Sequence, residues 1–161
     1  MKLPAELPDS AITAIVDTRE QAPLELPWIA SERGTLSTGD YSVKGLEHHV
    51  AIERKSLPDL VACCGRERER FDREVRRLLA YPVRALVVEA DWPAIEAGNW
   101  RGKLTPRQVG SSLISWQVQG LPVVLAGNRD RAARLVASML RRTAIHHWRT
   151  LRAFSLQLEN Q

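Results

Sequence analysis

The sequence predicts an α/β fold, a mixed central β-sheet flanked by helices. Short strand-like runs with apolar centres or starts recur at 11–16, 50–55, 84–89 and 121–126, and helix-like stretches separate the later ones. A polar turn at 44–49 joins two extended segments into an early hairpin, so the sheet holds an antiparallel pair and is mixed. The 161 residues, 44% hydrophobic and 26% charged, suit one globular domain with a sizeable core. No internal repeat or low-complexity segment divides the chain. It reads as a flexible lead at 1–10, a single domain at 11–147, and an extension at 148–161 that is either helix or tail.

Each element has its own signal. The lead is Pro-rich. Ala11 to Val16 is apolar and ends in D-T-R-E, as a buried strand leading to Asp17 would. Gln21 to Arg33 carries Pro23 and Pro27 and reads as loop, with at most one helical turn near Trp28. Thr35 to Val43 is the first arm of the hairpin, with Gly39 as a bulge or close-approach point, and Val50 to Lys55 is the second. Ser56 is a good N-cap, with Pro58 in the first turn and Asp59 after it, so a helix begins there and breaks at Gly65. Phe71, Val75, Leu78 and Leu79 have helical spacing within Arg66 to Ala80, and Pro82 stops that helix. Arg84 to Glu89 is a buried strand. Thr105-Pro106-Arg107-Gln108 is a capping box, opening a helix that Gly120 ends. Leu121 to Ala126 is a further strand, and a last helix runs from Asn128 to about His147.

The net charge of +4 favours an anionic partner. Arginine dominates, the lysines being Lys2, Lys44, Lys55 and Lys103 alone. Arginine suits bidentate phosphate contacts, which makes a lysine inside a charged strand end conspicuous. Cys63 and Cys64, the two cysteines, are adjacent; vicinal cysteines make poor disulfides and cannot build a zinc site alone. They read as a reduced pair. No segment is apolar enough to span a membrane and the start lacks an apolar signal core, so a cytoplasmic protein is expected.

Val50 to Lys55, V-A-I-E-R-K, passes from apolar strand to three adjacent charges. Alternation puts Glu53 and Lys55 on one face and Arg54 on the other. If Gly45 to His48 form the hairpin loop, Lys44 pairs with His49 and Asp40 falls opposite Glu53. Cross-strand Cβ atoms then lie about 4.5–5.5 Å apart, where like charges repel. A divalent cation reverses that sign. Two carboxylates and a lysine suit Mg²⁺ rather than zinc, and metal-assisted phosphodiester hydrolysis is the chemistry implied. Asp17 and Glu20 leave the sheet at its edge, Asp17 as a further ligand or a support to the ligands. Arg19 and Arg54 each hold a phosphate or pair with Asp59. The interleaved acids and bases at 66–77 read as a solvated helix face, Arg66 being the exception that would touch phosphate.

V-D-T-R-E at 16–20, T-G-D-Y at 38–41 and I-E-R-K-S-L-P-D-L at 52–60 together resemble the nuclease domain of the XPF-type structure-specific endonucleases. The hallmark is Gly39-Asp40, then Glu53-Arg54-Lys55, then Asp59, a version of the PD-(D/E)XK nuclease signature. The resemblance runs from about Ile12 to about Leu140. It implies a restriction-endonuclease-like fold and a Mg²⁺- or Mn²⁺-dependent DNA endonuclease acting on branched or flapped DNA. By position it makes Asp40 and Glu53 metal ligands and Lys55 the catalytic lysine, with Arg54, Asp59, Asp17 and Glu20 in support. The residues after Leu140 are too few for the tandem helix-hairpin-helix domain that many members carry. A stand-alone member, a homodimer, or a subunit that borrows DNA binding from a partner is therefore expected. The alternative reading is a non-catalytic DNA-binding or scaffolding subunit, which would be expected to lose the acids or the lysine.

Overall fold

The computed structural model describes residues 3–159. Six strands form one sheet in the order β2-β1-β3-β4-β5-β6: β1 Thr13–Asp17, β2 Ala30–Gly34, β3 Tyr41–Val43, β4 Val50–Lys55, β5 Val83–Val88 and β6 Val123–Leu125. Five α-helices complete it: α1 Leu57–Cys64, α2 Arg68–Leu78, α3 Trp92–Ala97, α4 Pro106–Val118 and α5 Arg129–Glu159. β3 runs antiparallel to both β1 and β4, and the other neighbours are parallel. The sheet is mixed and flanked by helices, as its alternating strands and helices predict.

The two faces of β4 separate the core into two layers. Val50 and Ile52 pack with Val16, Tyr41, Val87 and the α5 residues Val136 and Leu140. Ala51 packs with Leu60 of α1, Phe71 and Val75 of α2, and Leu113 and Trp116 of α4. The alternation that divides Ala51 from Ile52 also divides the charged end of the strand. Glu53 and Lys55 lean to the α1/α2 side, and Arg54 to the α5 side. Because β1 and β4 run the same way, with β3 reversed between them, the C-terminal ends of β1 and β4 and the N-terminal end of β3 meet at one edge of the sheet. Asp17, Asp40, Glu53 and Lys55 all stand there.

Several elements depart from the expectations. Residues 30–34, expected as loop, form β2, whose Ala30–Arg33 are exposed. A-S-E-R-G has no apolar alternation; its pairing with β1, Thr13 to Ala30 through Asp17 to Gly34, makes the strand. The first hairpin arm is shorter than 35–43, because Gly39 sits at φ 79° and ends the ladder before Tyr41. Helix α3 carried no recognised signal, yet the Asp91 carboxylate caps it by accepting from Ala94 N–H at 2.9 Å. The caps at Ser56 and Thr105 stand as predicted in position, the latter reciprocal with Gln108. Cys63 and Cys64 are free and buried on α1.

At the C-terminal end the structure takes the helical alternative, and at the N-terminal end it departs from the expectation. α5 passes through 147–148 without a break, so the extension is helical to Glu159; Asn160 and Gln161 lie outside the described residues, as do Met1 and Lys2. The rest of the lead, expected to be flexible, lies against α5. There the Trp148 indole donates to Pro4 carbonyl at 3.2 Å and Arg141 pairs with Asp9. Among the described residues no helix is long and apolar enough to cross a membrane.

Candidate active site

The hairpin keeps the predicted register at Tyr41, which pairs with Ile52. Its loop is longer than Gly45 to His48: Lys44 N–H donates to the Thr13 carbonyl and His49 N–H to the Leu46 carbonyl, both at 2.9 Å, so Lys44 and His49 do not pair. Asp40 and Glu53 nonetheless line one cleft. The ladder stops at Tyr41, because Asp40 N–H turns to the Ile52 carbonyl at 2.8 Å while Asp40 carbonyl accepts from Asp17 N–H at 2.9 Å. Asp40 is thereby stapled to both neighbouring strands. Gly39 permits this approach, since a Cβ there would meet the Ile52 carbonyl oxygen at 3.1 Å.

A cleft of about 270 Å³ opens over this corner, lined by Asp17, Arg19, Gly39, Asp40, Glu53 and Lys55 from the sheet edge and by Arg70, Phe71, Glu74 and Arg77 from α2. Lys55 Nζ donates to Glu53 Oε1 at 2.6 Å and lies 5.4 Å from the Phe71 ring centroid. Arg54 N–H donates to Asp40 Oδ2 at 2.8 Å. Among the described residues, Glu53 Oε2 and Asp40 Oδ1 have no protein partner. Burial and then the Glu53 charge push the Asp40 carboxyl up to about 8. Burial also raises Glu53, against the pull of Lys55. For Lys55 burial acts downward, but the Glu53 carboxylate outweighs it and raises the ammonium above its ordinary value. Lys55 thus stays protonated and acts as a cationic donor. Two crowded carboxylates with free oxygens are the electrostatic state that a divalent cation relieves.

Asp17 shares the cleft but not this state. Its Oδ1 accepts from Arg19 N–H and Arg19 Nε, at 3.0 and 2.7 Å, and its Oδ2 from Leu36 N–H and Arg19 Nη2, at 2.7 and 3.3 Å. Those four bonds use the lone-pair sites of a carboxylate. Burial acts to raise Asp17, yet these hydrogen bonds hold it below the usual range. As a metal ligand Asp17 is displaced by its own partners; it braces the loop at Leu36. Arg19, expected at a phosphate, spends Nε and Nη2 on Asp17 and on the Leu36 carbonyl.

Arg54 and Glu20 are not in the cleft. Arg54, 8% exposed, points to the α5 side, with Nη2 on Glu20 at 2.8 Å and on Ala22 carbonyl at 2.7 Å, and Nη1 on Glu89 at 3.1 Å. A phosphate cannot reach a guanidinium held so, and Asp59 is not its partner. Asp59 closes the start of α1 instead, accepting from Ser56 Oγ at 2.6 Å. Arg66 is exposed at the far end of α1, away from the cleft. Sequence reasoning missed the α2 wall. Arg70, Glu74 and Arg77 follow one another at i, i+4 and i+7 beside the buried Phe71, Val75 and Leu78. That flank looks solvated until Glu74 Oε1 accepts from Gly39 N–H at 3.1 Å.

The donor set suits a hard cation that keeps water ligands. Asp40 and Glu53, which line the cleft, each keep one oxygen without a protein partner, and among the described residues no three His, Cys, Asp or Glu side chains converge to cage an ion alone.

Comparison with known proteins agrees with the fold. The model of the ERCC4 domain family matches residues 16–139. The structure of XPF from Aeropyrum pernix is similar, with TM-score 0.65 and 19% identity over 90% of this chain and 72% of that one. XPF from Aeropyrum pernix in complex with DNA is similar too, with TM-score 0.64 and 20% identity, covering 82% of this chain and 64% of that one. No curated protein matches the chain. The chain belongs to the ERCC4 domain family.

Proposed function

We propose that this ERCC4-domain chain is a divalent-cation-dependent endonuclease that hydrolyses phosphodiester bonds in branched or flapped DNA. The observation that carries the reading is the pair Asp40 and Glu53, each with an oxygen free of protein partners, beside a lysine held protonated. The match of the ERCC4 domain over 16–139 supports nuclease chemistry, and the similarity to an XPF in complex with DNA supports DNA as substrate.

Asp40 Oδ1 and Glu53 Oε2 would hold Mg²⁺ or Mn²⁺. The chemistry such an ion supplies is charge neutralisation at the phosphoryl oxygens and a more acidic water. The chain's own residues do the rest. Lys55 keeps one donor on Glu53 and turns the others toward the attacking water or the charge that develops on the phosphate. Phe71 shields one side of the ammonium, which strengthens its field. Gly39 and the Arg54 N–H fix the Asp40 carboxylate, so its geometry is set before substrate arrives. Arg70 lies on the cleft wall, where it would meet an incoming phosphate.

The test is cleavage of labelled duplex, flap, fork and single-stranded DNA with Mg²⁺, Mn²⁺ or EDTA, alongside Asp40→Ala and Lys55→Ala. Cation-dependent cutting lost in both variants supports the reading. DNA binding without cutting on any substrate moves the assignment to a scaffolding subunit, and cutting unaffected by both substitutions rejects the site.

A further inference from the structure

A second cavity is larger than the carboxylate cleft. This groove of about 770 Å³ lies between α1 and the loop 98–105 that joins α3 to α4. Its size is within the roughly 300–1,000 Å³ of small-molecule sites. Leu57 and Val61 of α1 face Trp100 and Leu104 of the loop across it. The loop is seated firmly. Trp100 Nε1 donates to Leu104 carbonyl at 2.9 Å, and Leu104 fills the space where a Cβ on Gly65 would lie 2.7 Å from its Cδ1. That bond uses the polar edge of the indole and leaves apolar surface toward the groove.

The rim is cationic. Arg66, Arg101 and Lys103 line it, and no acidic side chain does. Among the described residues none of the three forms an ion pair. Unpaired cations over an apolar slot fit a ligand that joins a flat apolar body to an anion. A nucleotide has that chemistry, but only an unpaired one can present its base. The groove begins at Leu57, two residues along the chain from Lys55, which lines the cleft.

We propose that this groove holds an unpaired nucleotide of a branched DNA substrate, its base against Leu57, Val61 and Trp100 and its phosphate against Arg66, Arg101 and Lys103. This rests on the nuclease reading and sharpens it: the groove is what would prefer a flap or fork over plain duplex.

The test is equilibrium binding in EDTA, read by fluorescence anisotropy. The probes are a blunt duplex, the same duplex with a thymidine arm, and the same duplex with an abasic arm that keeps the phosphates. Base contacts of this kind predict that the thymidine arm binds about tenfold tighter than the abasic one. Ala62→Phe, which fills the groove without changing charge, should erase that advantage and leave blunt-duplex binding within about twofold. The double substitution Arg101→Glu/Lys103→Glu should weaken both arms alike, more than it weakens the blunt duplex. Should either variant melt early, the arm comparison on the wild-type chain still decides. Equal binding of thymidine and abasic arms overturns the proposal. So does binding of a glutamate-rich peptide with no preference for any arm, which would make the occupant a protein. An arm preference in a chain that cuts nothing sinks the nuclease reading alone, and cutting without an arm preference sinks the groove alone.

Discussion

On β4 neighbouring charges live under opposite conditions. Toward α5, Arg54 is enclosed by Glu20, Glu89 and the Ala22 carbonyl, and Arg129 adds a second cation to Glu89 at 3.2 Å. Toward α2, Glu53 is 6% exposed, and it and Asp40 keep free oxygens and raised pKa values. One face balances its charges and closes. The other carries more acid than base at its centre and opens into a cleft. The chain places both on consecutive residues, so their difference comes from the tertiary surroundings. A closed network holds the sheet together, and an unbalanced pair stays ready for a cation from outside.

Substitutions on the two faces should therefore separate activity from stability. The largest effect is expected on the open face: Asp40→Ala and Lys55→Ala each lower cation-dependent cleavage by about 10²–10⁴-fold while the circular dichroism spectrum is unchanged. Next is the closed face. Arg54→Met leaves Glu20 and Glu89 buried with less or no counter-charge and should cost about 3–5 kcal/mol in urea unfolding. If Arg54→Met instead abolished cleavage at full stability, the contrast between the faces would be wrong.

The open face also predicts a pH dependence. In cation-free protein Asp40 titrates near 8, well above the ordinary value of about 4. Between those values the native chain holds a proton that the unfolded chain has released. The stability this contributes is full below about pH 4 and is lost as pH rises through about 8. The melting temperature of cation-free protein should fall from pH 5 to pH 8, and Asp40→Asn should flatten the curve and melt higher at pH 8. For a chain of this size each kcal/mol is worth about 2–4 °C. Mg²⁺ must displace the same proton, so its affinity, read by calorimetry, should rise over that interval. A flat melting curve for the wild-type chain would remove the argument for a strained carboxylate pair.

The smallest effect is expected at α1. Asp59→Asn keeps the Ser56 cap and should change cleavage less than twofold, whereas Ser56→Ala should cost about 1 kcal/mol of stability. A large loss of cleavage in Asp59→Asn would return that carboxylate to the site.

Much of this was legible in the residues. Alternation along V-A-I-E-R-K divides Glu53 and Lys55 from Arg54, which follows from strand geometry alone, and a hairpin that turns within 44–49 brings Asp40 and Glu53 to one end, although its loop is longer than the four residues expected. Caps at Ser56 and Thr105 were legible because they are local. β2 was not, because exposed A-S-E-R-G becomes a strand only through its pairing with β1. The α2 wall was not, because a charged helix flank looks the same whether it faces solvent or a cleft.

What the sequence alone determined is the set of short-range facts: which residues share a face, where helices begin, and that two acids and a lysine gather at one hairpin end. Only the tertiary structure decided how each charge is spent. Asp17 is saturated by Arg19 and Leu36, Arg54 is walled in by Glu20 and Glu89, Asp59 caps a helix, and Glu74 comes over the cleft. The reason is physical. Periodicity and capping depend on residues a few positions apart, whereas the partners of a carboxylate are set by segments far away in the chain, and partners decide whether its oxygens remain free to bind an ion.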